Sequence, residues 1–312
     1  MTSTPLPSTR QIRVAYAVTS CGGLLFTLDL PLLRLSLADH WTMVFTRGVF
    51  LFIAIAGAWT VMRALRGSNG SFIAGRAGIM VALSSTIGNI AYIGAVVHTN
   101  AANVVFLIAL TPVIAATLSR LVLGEKVHGF TWAATLLAFG GAFIIAWDGI
   151  GSDDWLGDAL AFTSALCSAI TFTVIRATGE KVATSLAVGN LSSALIALVF
   201  FSVMPATLAL PGGLGLPAWF WLALNGFIAI PLATVFLASG ARVLPSADVS
   251  MFFMMETVLT PVWVWLLFGE VPGTAVLFGG LVVIATLLSH SWWKLSLSAR
   301  TNAEALAASG QS

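Results

Sequence analysis

The sequence predicts an all-α integral membrane protein whose ten transmembrane helices form two inverted five-helix repeats around a central cavity. Three observations lead to this prediction: long stretches without a charged residue, an alternation of basic residues between two sides, and an internal repeat. Only 8% of the 312 residues are charged and 58% are hydrophobic, with a mean hydropathy of +0.99. Because an average soluble domain has about 25% charged residues, this chain cannot cover a water-exposed surface.

The lengths of the uncharged stretches give the number of spans, since a spanning helix needs about 20 mostly apolar residues. The 43 residues between Arg76 and Arg120 and the 60 between Lys181 and Arg242 each predict two spans. Single spans are predicted at six further places, which are 13–34, 42–63, 127–147, 156–177, 246–268 and 271–293. These runs are too long, and alternate too little, for the strands of a membrane barrel.

The basic residues predict the orientation, because cytoplasmic loops of membrane proteins are enriched in lysine and arginine. With ten spans, one side receives Arg10, Arg13, Arg63, Arg66, Arg76, Arg120, Lys126, Arg176, Lys181, Arg242, Lys294 and Arg300. Only Arg34 falls on the other side, and Arg47 lies inside span 2. Both termini are therefore expected on the cytoplasmic side, and the membrane is expected to be a bacterial-type inner membrane. The polar residues 1–8 contain no cleavable signal, so span 1 is expected to be retained.

A weak internal repeat divides the chain into two halves. A shift of 145 residues brings Leu121, Gly124 and Glu125 onto Leu266, Gly269 and Glu270, and a shift of 146 brings Cys21, Phe26 and Thr27 onto Cys167, Phe172 and Thr173. Two copies of an odd number of spans enter the membrane from opposite sides, as in secondary transporters with a site near the midplane. Residues 13–148 and 149–294 are expected to form the repeats, and residues 1–12 and 295–312 the cytoplasmic tails.

The ends of spans 4 and 9 carry a family resemblance. Pro112 followed by Gly124-Glu125, and Pro261 followed by Gly269-Glu270, resemble the EamA type of the drug/metabolite transporter superfamily over residues 12–295. Arg47 resembles the arginine commonly found in span 2 of that family, and the chain is similar to its YddG-type exporters of aromatic and hydrophobic amino acids. Glu256-Thr257 stands where members often have Glu-Pro, which predicts that the kink of span 9 lies nearer its outer end.

Charged residues inside the membrane are functional candidates, because a charge in hydrocarbon is costly. Glu256 lies about ten residues into span 9, near the midplane. It is expected to bind a substrate ammonium group or to load and release a proton; the alternative is a permanently protonated carboxyl that donates to a backbone carbonyl. Asp29 and Arg47 are expected to pair as a structural or gating clamp, with Arg47 as a possible partner of a substrate carboxylate.

Two further groups of residues are expected to shape the helices. Glu125 and Glu270 end spans 4 and 9, where a carboxylate opposes the helix dipole and needs a compensating partner. They are interpreted as structural, with gating as the alternative. Pro112, Pro231 and Pro261 lie within spans and are candidate hinges, because a proline inside a helix removes a backbone hydrogen bond.

Neutral polar residues at helical spacing predict the substrate cavity, since such a stripe must face something other than lipid. Hydrogen bonding between helices is the alternative explanation. Three spans carry such stripes, which are Ser85, Asn89 and Tyr92 in span 3, Ser164, Ser168 and Thr171 in span 6, and Ser250 and Thr257 beside Glu256 in span 9. In span 9, Met254 and Thr257 lie beside Glu256, and Trp263 is a candidate aromatic wall or gate.

These features predict a secondary transporter that moves a small amphipathic metabolite by alternating access. The family resemblance implies export, most of all of aromatic or hydrophobic amino acids; export of nucleosides or cationic compounds by proton antiport is the alternative. Two cysteines exclude a disulfide scaffold, and 14 Lys+Arg against 12 Asp+Glu exclude a nucleic-acid surface. A channel is disfavoured because no filter-like repeat occurs, and a membrane enzyme because the sequence lacks HExxH, GxxxxGK[ST] and GxSxG motifs. The expected partners are a small-molecule substrate, lipid and protons, with no cofactor or metal, and a monomer is expected.

Overall fold

The computed structural model describes residues 9–66, 72–99, 101–125, 128–146, 155–180, 182–200, 212–252, 254–269 and 273–309. Nine stretches of these residues are helical and apolar over enough length to cross a membrane. They are Arg10–Ser36, His40–Leu65, Gly75–His98, Asn103–Leu123, Trp155–Thr178, Ala183–Phe200, Ala218–Ala241, Ser246–Leu267 and Thr274–Lys294. The shorter apolar helix Gly129–Ile145 lies between the fourth and fifth of them. In the described part of the chain these ten segments coincide with the ten predicted spans, and they are numbered 1–10 in chain order.

Several spans consist of two helices that follow one another. Span 1 contains Thr9–Phe26 and Asp29–Ser36, span 4 contains Ala101–Ile108 and Thr111–Leu123, and span 9 contains Ser246–Met251 and Met254–Phe268. Span 8 is made of Ala218–Ala223, the wider π-helical turn Leu224–Ala229 and Ile230–Ala241. The uninterrupted helices are His40–Arg66, Gly75–His98, Gly129–Ala146, Trp155–Thr178, Ala183–Phe200 and Thr274–Ser309. The last of these continues past Lys294, so the described residues of the expected C-terminal tail extend span 10.

The pairing of the spans has the symmetry of an inverted repeat. The most extensive packing joins span 3 to span 6, span 2 to span 7, span 5 to span 10 and span 1 to span 8. If each span is replaced by its counterpart in the other repeat, five places along the chain, the 3–6 pair becomes the 8–1 pair. The 2–7 and 5–10 pairs are unchanged by this exchange. A pseudo-two-fold axis in the membrane plane has this effect, so the predicted fold class is confirmed.

Small residues permit the close approach of spans 5 and 10. A Cβ atom added to Gly141 would lie 2.9 Å from the carbonyl oxygen of Gly279, and one added to Gly279 would lie 2.7 Å from Cγ1 of Ile145. Neighbouring Gly140 has nothing within 4 Å of such an atom. Membrane helices pack closely through small residues of this kind, and here only one glycine of the Gly140-Gly141 pair serves that packing.

Hydroxyl side chains satisfy backbone carbonyls at the helix interruptions. Thr27 donates to the carbonyl of Leu24 at 2.7 Å in span 1, and Thr111 donates to that of Ile108 at 2.6 Å in span 4. Pro112 lies in the first turn of the second helix of span 4, where the amide that proline lacks would have no helical acceptor. The interruptions are stable in an apolar interior because local groups replace the lost backbone hydrogen bonds.

The interruption of span 9 differs from the expected one. The helix Met254–Phe268 runs through Pro261, while the preceding helix ends at Met251 and the amide of Phe252 donates to Val249. The break thus lies on the opposite side of Glu256 from Pro261. A proline removes one backbone bond without ending a helix when its surroundings satisfy the freed carbonyl, so its position alone does not locate the break. Pro231 is the second residue of the helix that follows the π-helical turn of span 8.

Candidate functional site

A cavity of about 130 Å³ lies between spans 1, 2, 3, 6, 7 and 8. The five-span shift exchanges these six spans among themselves, so the cavity is shared by the two repeats. Its aromatic walls are Phe26, Tyr92 and Phe172. Hydroxyl and amide groups provide most of its polar surface, namely Ser84, Ser85, Asn89, Ser164, Ser168, Thr171, Asn190 and Thr234. Among the described residues, Arg47 is the charged side chain in the lining.

Two of the three predicted polar stripes, those of spans 3 and 6, face this cavity, whereas the stripe of span 9 does not. Its lining includes all six of their members, which are Ser85, Asn89, Tyr92, Ser164, Ser168 and Thr171. Residues at positions i, i+4 and i+7 lie on one face of a helix, and spans 3 and 6 pack against each other more extensively than any other described pair. Two polar faces on tightly packed neighbours therefore open on one space.

Span 7 supplies a polar edge of the site that the sequence analysis missed. Asn190 donates to Oγ of Ser85 at 2.7 Å, and Asn89 donates to Oγ of Ser193 at 2.8 Å. Oδ1 of Asn89 is buried and makes no hydrogen bond in the described structure. The stripe in span 3 thus lines the cavity and also bonds to a neighbouring helix, so both explanations of the stripe hold together. Asn190 and Ser193, three residues apart in span 7, are the sequence signal that could have indicated this edge.

The predicted pair of Asp29 and Arg47 forms beside the cavity. Nη1 of Arg47 lies 2.9 Å from Oδ1 and 2.8 Å from Oδ2 of Asp29, which is fully buried. Asn225, from the π-helical turn of span 8, donates to Oδ1 of Asp29 at 2.7 Å. The guanidinium carbon lies 5.2 Å from the centre of the Tyr92 ring, within cation–π distance. The clamp therefore joins spans 1, 2, 3 and 8, and Asn225 is a member that the sequence analysis did not identify.

Glu256 lies one side chain away from the cavity. It is 1% exposed, and its Oε1 accepts a hydrogen bond of 3.0 Å from the hydroxyl of Tyr92. The Tyr92 ring lines the cavity, whereas Glu256 does not, and Oε2 has no hydrogen-bond partner among the described residues. A proton that arrives at Glu256 would change the hydrogen bond to Tyr92. Tyr92 would thereby transmit the protonation state of Glu256 to the cavity.

The other candidates of span 9 lie outside the cavity. Met254 and Thr257 are buried, Met254 in an apolar cluster with Ala138 and Val258. Trp263 donates to Oγ1 of Thr27 at 3.0 Å and so ties span 9 to the interruption of span 1. A heptad spacing places Trp263 and Glu256 on similar faces, but Trp263 bonds to span 1 and Glu256 to Tyr92 of span 3, and neither lines the cavity.

Glu125 has the partner that its position at a helix end requires. Its Oε1 lies 2.9 Å from Nε of Arg176, whose Nη1 also donates to the carbonyl of Val243 at 2.9 Å. The end of span 4 is thereby tied to span 6 and to the segment after span 8. The second predicted carboxylate of this kind, Glu270, lies outside the described residues.

Comparison with known proteins agrees with this architecture. A model of the EamA-like transporter family matches residues 15–147 and 155–291, so that each half of the chain contains one copy. A solved structure, described only as the crystal structure of a protein, is similar with a TM-score of 0.72 over 88% of this chain and 96% of that one. At 14% sequence identity this likeness shows the fold alone. No curated protein matches the chain.

Proposed function

Because the chain belongs to the EamA-like transporter family, we propose that it is a secondary transporter that exports small amphipathic metabolites, most of all aromatic or hydrophobic amino acids, by alternating access. The family accounts for membrane transport of the drug/metabolite type. The substrate class and the direction are proposed here. In this proposal the end of the bundle with Arg10, Arg176, Arg242 and Lys294, called the basic end, faces the cytoplasm of a bacterial-type inner membrane.

The composition of the cavity lining carries the proposal. A free amino acid needs a partner for its carboxylate, a partner for its ammonium group and an apolar surface for its side chain. Arg47 suits the carboxylate, and Oδ1 of Asn89, which has no hydrogen-bond partner among the described residues, suits the ammonium group. Phe26, Tyr92 and Phe172 suit an aromatic side chain. Few precisely placed polar groups among apolar walls are typical of a small-molecule site.

The size of the cavity favours a metabolite over a drug. Pockets for drug-sized ligands measure about 300–1,000 Å³, whereas this cavity measures about 130 Å³. A protein cavity of about 150 Å³ holds benzene, which is the size of one aromatic side chain. A whole amino acid therefore requires the cavity to widen as one end opens.

The proposed role of Glu256 follows from its distance to the cavity. Glu256 does not need to touch the substrate to respond to it, since the Tyr92 ring lines the cavity and the Tyr92 hydroxyl bonds to Glu256. We expect Glu256 to control the hydrogen bonding of Tyr92 through its own protonation, and Arg47 to bind the substrate when the Asp29 pair loosens. Facilitated transport with a permanently neutral Glu256 is the alternative.

The first test is uptake of labelled phenylalanine into proteoliposomes that contain the purified protein. Saturable uptake that unlabelled aromatic and hydrophobic amino acids block supports the proposal. Inhibition by nucleosides or cationic dyes alone assigns another substrate, and uptake that rises linearly with concentration indicates a channel. If uptake does not exceed that of protein-free vesicles, the amino-acid proposal fails.

A further inference from the structure

A second group of buried polar side chains lies near the basic end, outside the central cavity. Its centre is Asp248 in the first turn of span 9, which is 1% exposed. The hydroxyl of Tyr16 in span 1 donates to Oδ2 of Asp248 at 2.9 Å, and Nζ of Lys294 in span 10 lies 3.3 Å from the same oxygen. One carboxylate oxygen is thus held from two directions.

The other oxygen of Asp248 faces a histidine without a hydrogen bond. Oδ1 lies 3.6 Å from Nε2 of His290, and it has no hydrogen-bond partner in the described part of the chain. His290 is 2% exposed, and its Nε2 lies 3.2 Å from Oγ1 of Thr131. A neutral imidazole can accept the threonine hydrogen bond at this nitrogen, whereas a protonated imidazole must donate from it. An unfilled acceptor therefore stands opposite a nitrogen that can gain a proton.

A passage connects Asp248 and Thr131, two residues that contact His290, to the basic end. A cavity of about 280 Å³ is lined by Asp248, Lys294 and Thr131 at its inner side and by Glu125 and His128 towards the surface. His128 is exposed and Glu125 is partly exposed. Water in such a passage would bring protons from the basic end to the buried carboxylate.

We propose that the Asp248–His290 pair is a proton-binding site, loaded from the basic end and separate from the central cavity. Hydronium in the passage gives its proton to Nε2 of His290 and leaves as water, and the new N–H donates to Oδ1 of Asp248. Histidine is the side chain whose charge changes nearest neutral pH. The imidazolium then forms an ion pair with the Asp248 carboxylate. The hydroxyl of Thr131 loses its acceptor at Nε2 and becomes free to rotate.

Several ionisable groups from neighbouring spans surround the pair. Those that face Asp248 or the passage are Tyr16 from span 1, Glu125 at the end of span 4, His128 before span 5 and Lys294 from span 10. Glu125 is paired with Arg176 of span 6. Lys294 opposes a second positive charge on His290, and the Asp248 carboxylate favours that charge.

Proton binding would then stabilise the closed state of the basic end. The charged pair adds a second tie between span 9 and span 10 beside the contact of Lys294 with Asp248, and loss of the proton removes this second tie. This consequence rests on the proposed function, since it couples the opening of the basic end to a proton gradient. The site itself does not depend on the identity of the substrate.

The test of the site uses no substrate. The imidazole signals of the reconstituted protein are followed by NMR between about pH 5 and 8, and His290→Gln identifies the signal of His290 among the four histidines. We expect this signal to titrate in the parent and Asp248→Asn to alter its titration. A His290 signal that does not change over this range, or that titrates identically in Asp248→Asn, would overturn the proposal.

The coupling is tested with labelled phenylalanine in two assays, exchange at equal pH and accumulation against a pH gradient. We expect Asp248→Asn and His290→Gln each to lower accumulation about tenfold while exchange is retained, because exchange needs no net proton release. The control is Asp158→Asn, which should retain both exchange and accumulation. Asp158 lies in the first turn of span 6, away from the basic end, and accepts hydrogen bonds from Thr99 and Asn103. Unchanged accumulation, or loss of exchange in both folded variants, would overturn the coupling; a parent without phenylalanine transport would refute the proposed substrate and leave the NMR result to decide on the site.

Discussion

Glu256 is the residue on which transport is expected to depend most. Its carboxyl is almost fully buried, bonds to Tyr92 and has one oxygen without a partner among the described residues. Glu256→Gln keeps the size and the acceptor for Tyr92 but cannot ionise. We expect this variant to fold normally and to lose or weaken transport in the proteoliposome assay. The exposed carboxylate Glu180 provides the matched control, Glu180→Gln, which should transport like the parent. Parental transport by Glu256→Gln at every pH tested would show that Glu256 has no binding or coupling role.

The Asp29–Arg47 pair is expected to stabilise the fold as a unit. Removing one partner of a buried ion pair leaves an uncompensated charge and costs about 3–5 kcal/mol. We therefore expect Asp29→Asn and Arg47→Gln each to lower the melting temperature in detergent strongly, and the double variant to recover part of the loss. The more exposed Glu125–Arg176 pair is the comparison, since surface pairs contribute about 0–1 kcal/mol. If the double variant is as unstable as the sum of the single ones, the pair has no coupling energy.

At the scale of helices, the crossing of spans 5 and 10 offers a paired test in adjacent residues. A Cβ on Gly141 overlaps the backbone of Gly279, while one on Gly140 meets nothing within 4 Å. Overpacking costs about 1–3 kcal/mol, and replacing a helical glycine by alanine otherwise gains about 0.5–1 kcal/mol. Gly141→Ala should lower the melting temperature and Gly140→Ala should leave it unchanged or raise it. Equal effects of the two substitutions would show that the close packing has no energetic weight.

At the scale of the whole molecule, the sequence was sufficient for the number of spans, because hydrocarbon thickness sets their length and charges mark their ends. It also predicted the stripes of spans 3 and 6, since three polar residues at helical spacing define a face. Asn190 and Asn225 were missed because one or two polar residues on a helix do not define a face. The position of Glu256 behind Tyr92 depends on how span 9 is rotated against its neighbours, and a single sequence contains no signal for that rotation.

In the proposed mechanism, the cavity between the two repeats is the transport site and opens to each side of the membrane in turn. Cys167 lines this cavity, while the second of the two cysteines, Cys21, lies exposed on the outside of the bundle. In the Cys21→Ser variant, Cys167 becomes a single native probe of the site.

The most direct measurement is therefore the rate at which a membrane-impermeant thiol reagent labels Cys167 in vesicles, added from either side, with and without phenylalanine. If the cavity opens to each side in turn, Cys167 is labelled from both sides, and more slowly when phenylalanine is present. Labelling from one side only, or at a rate that phenylalanine does not change, would contradict it.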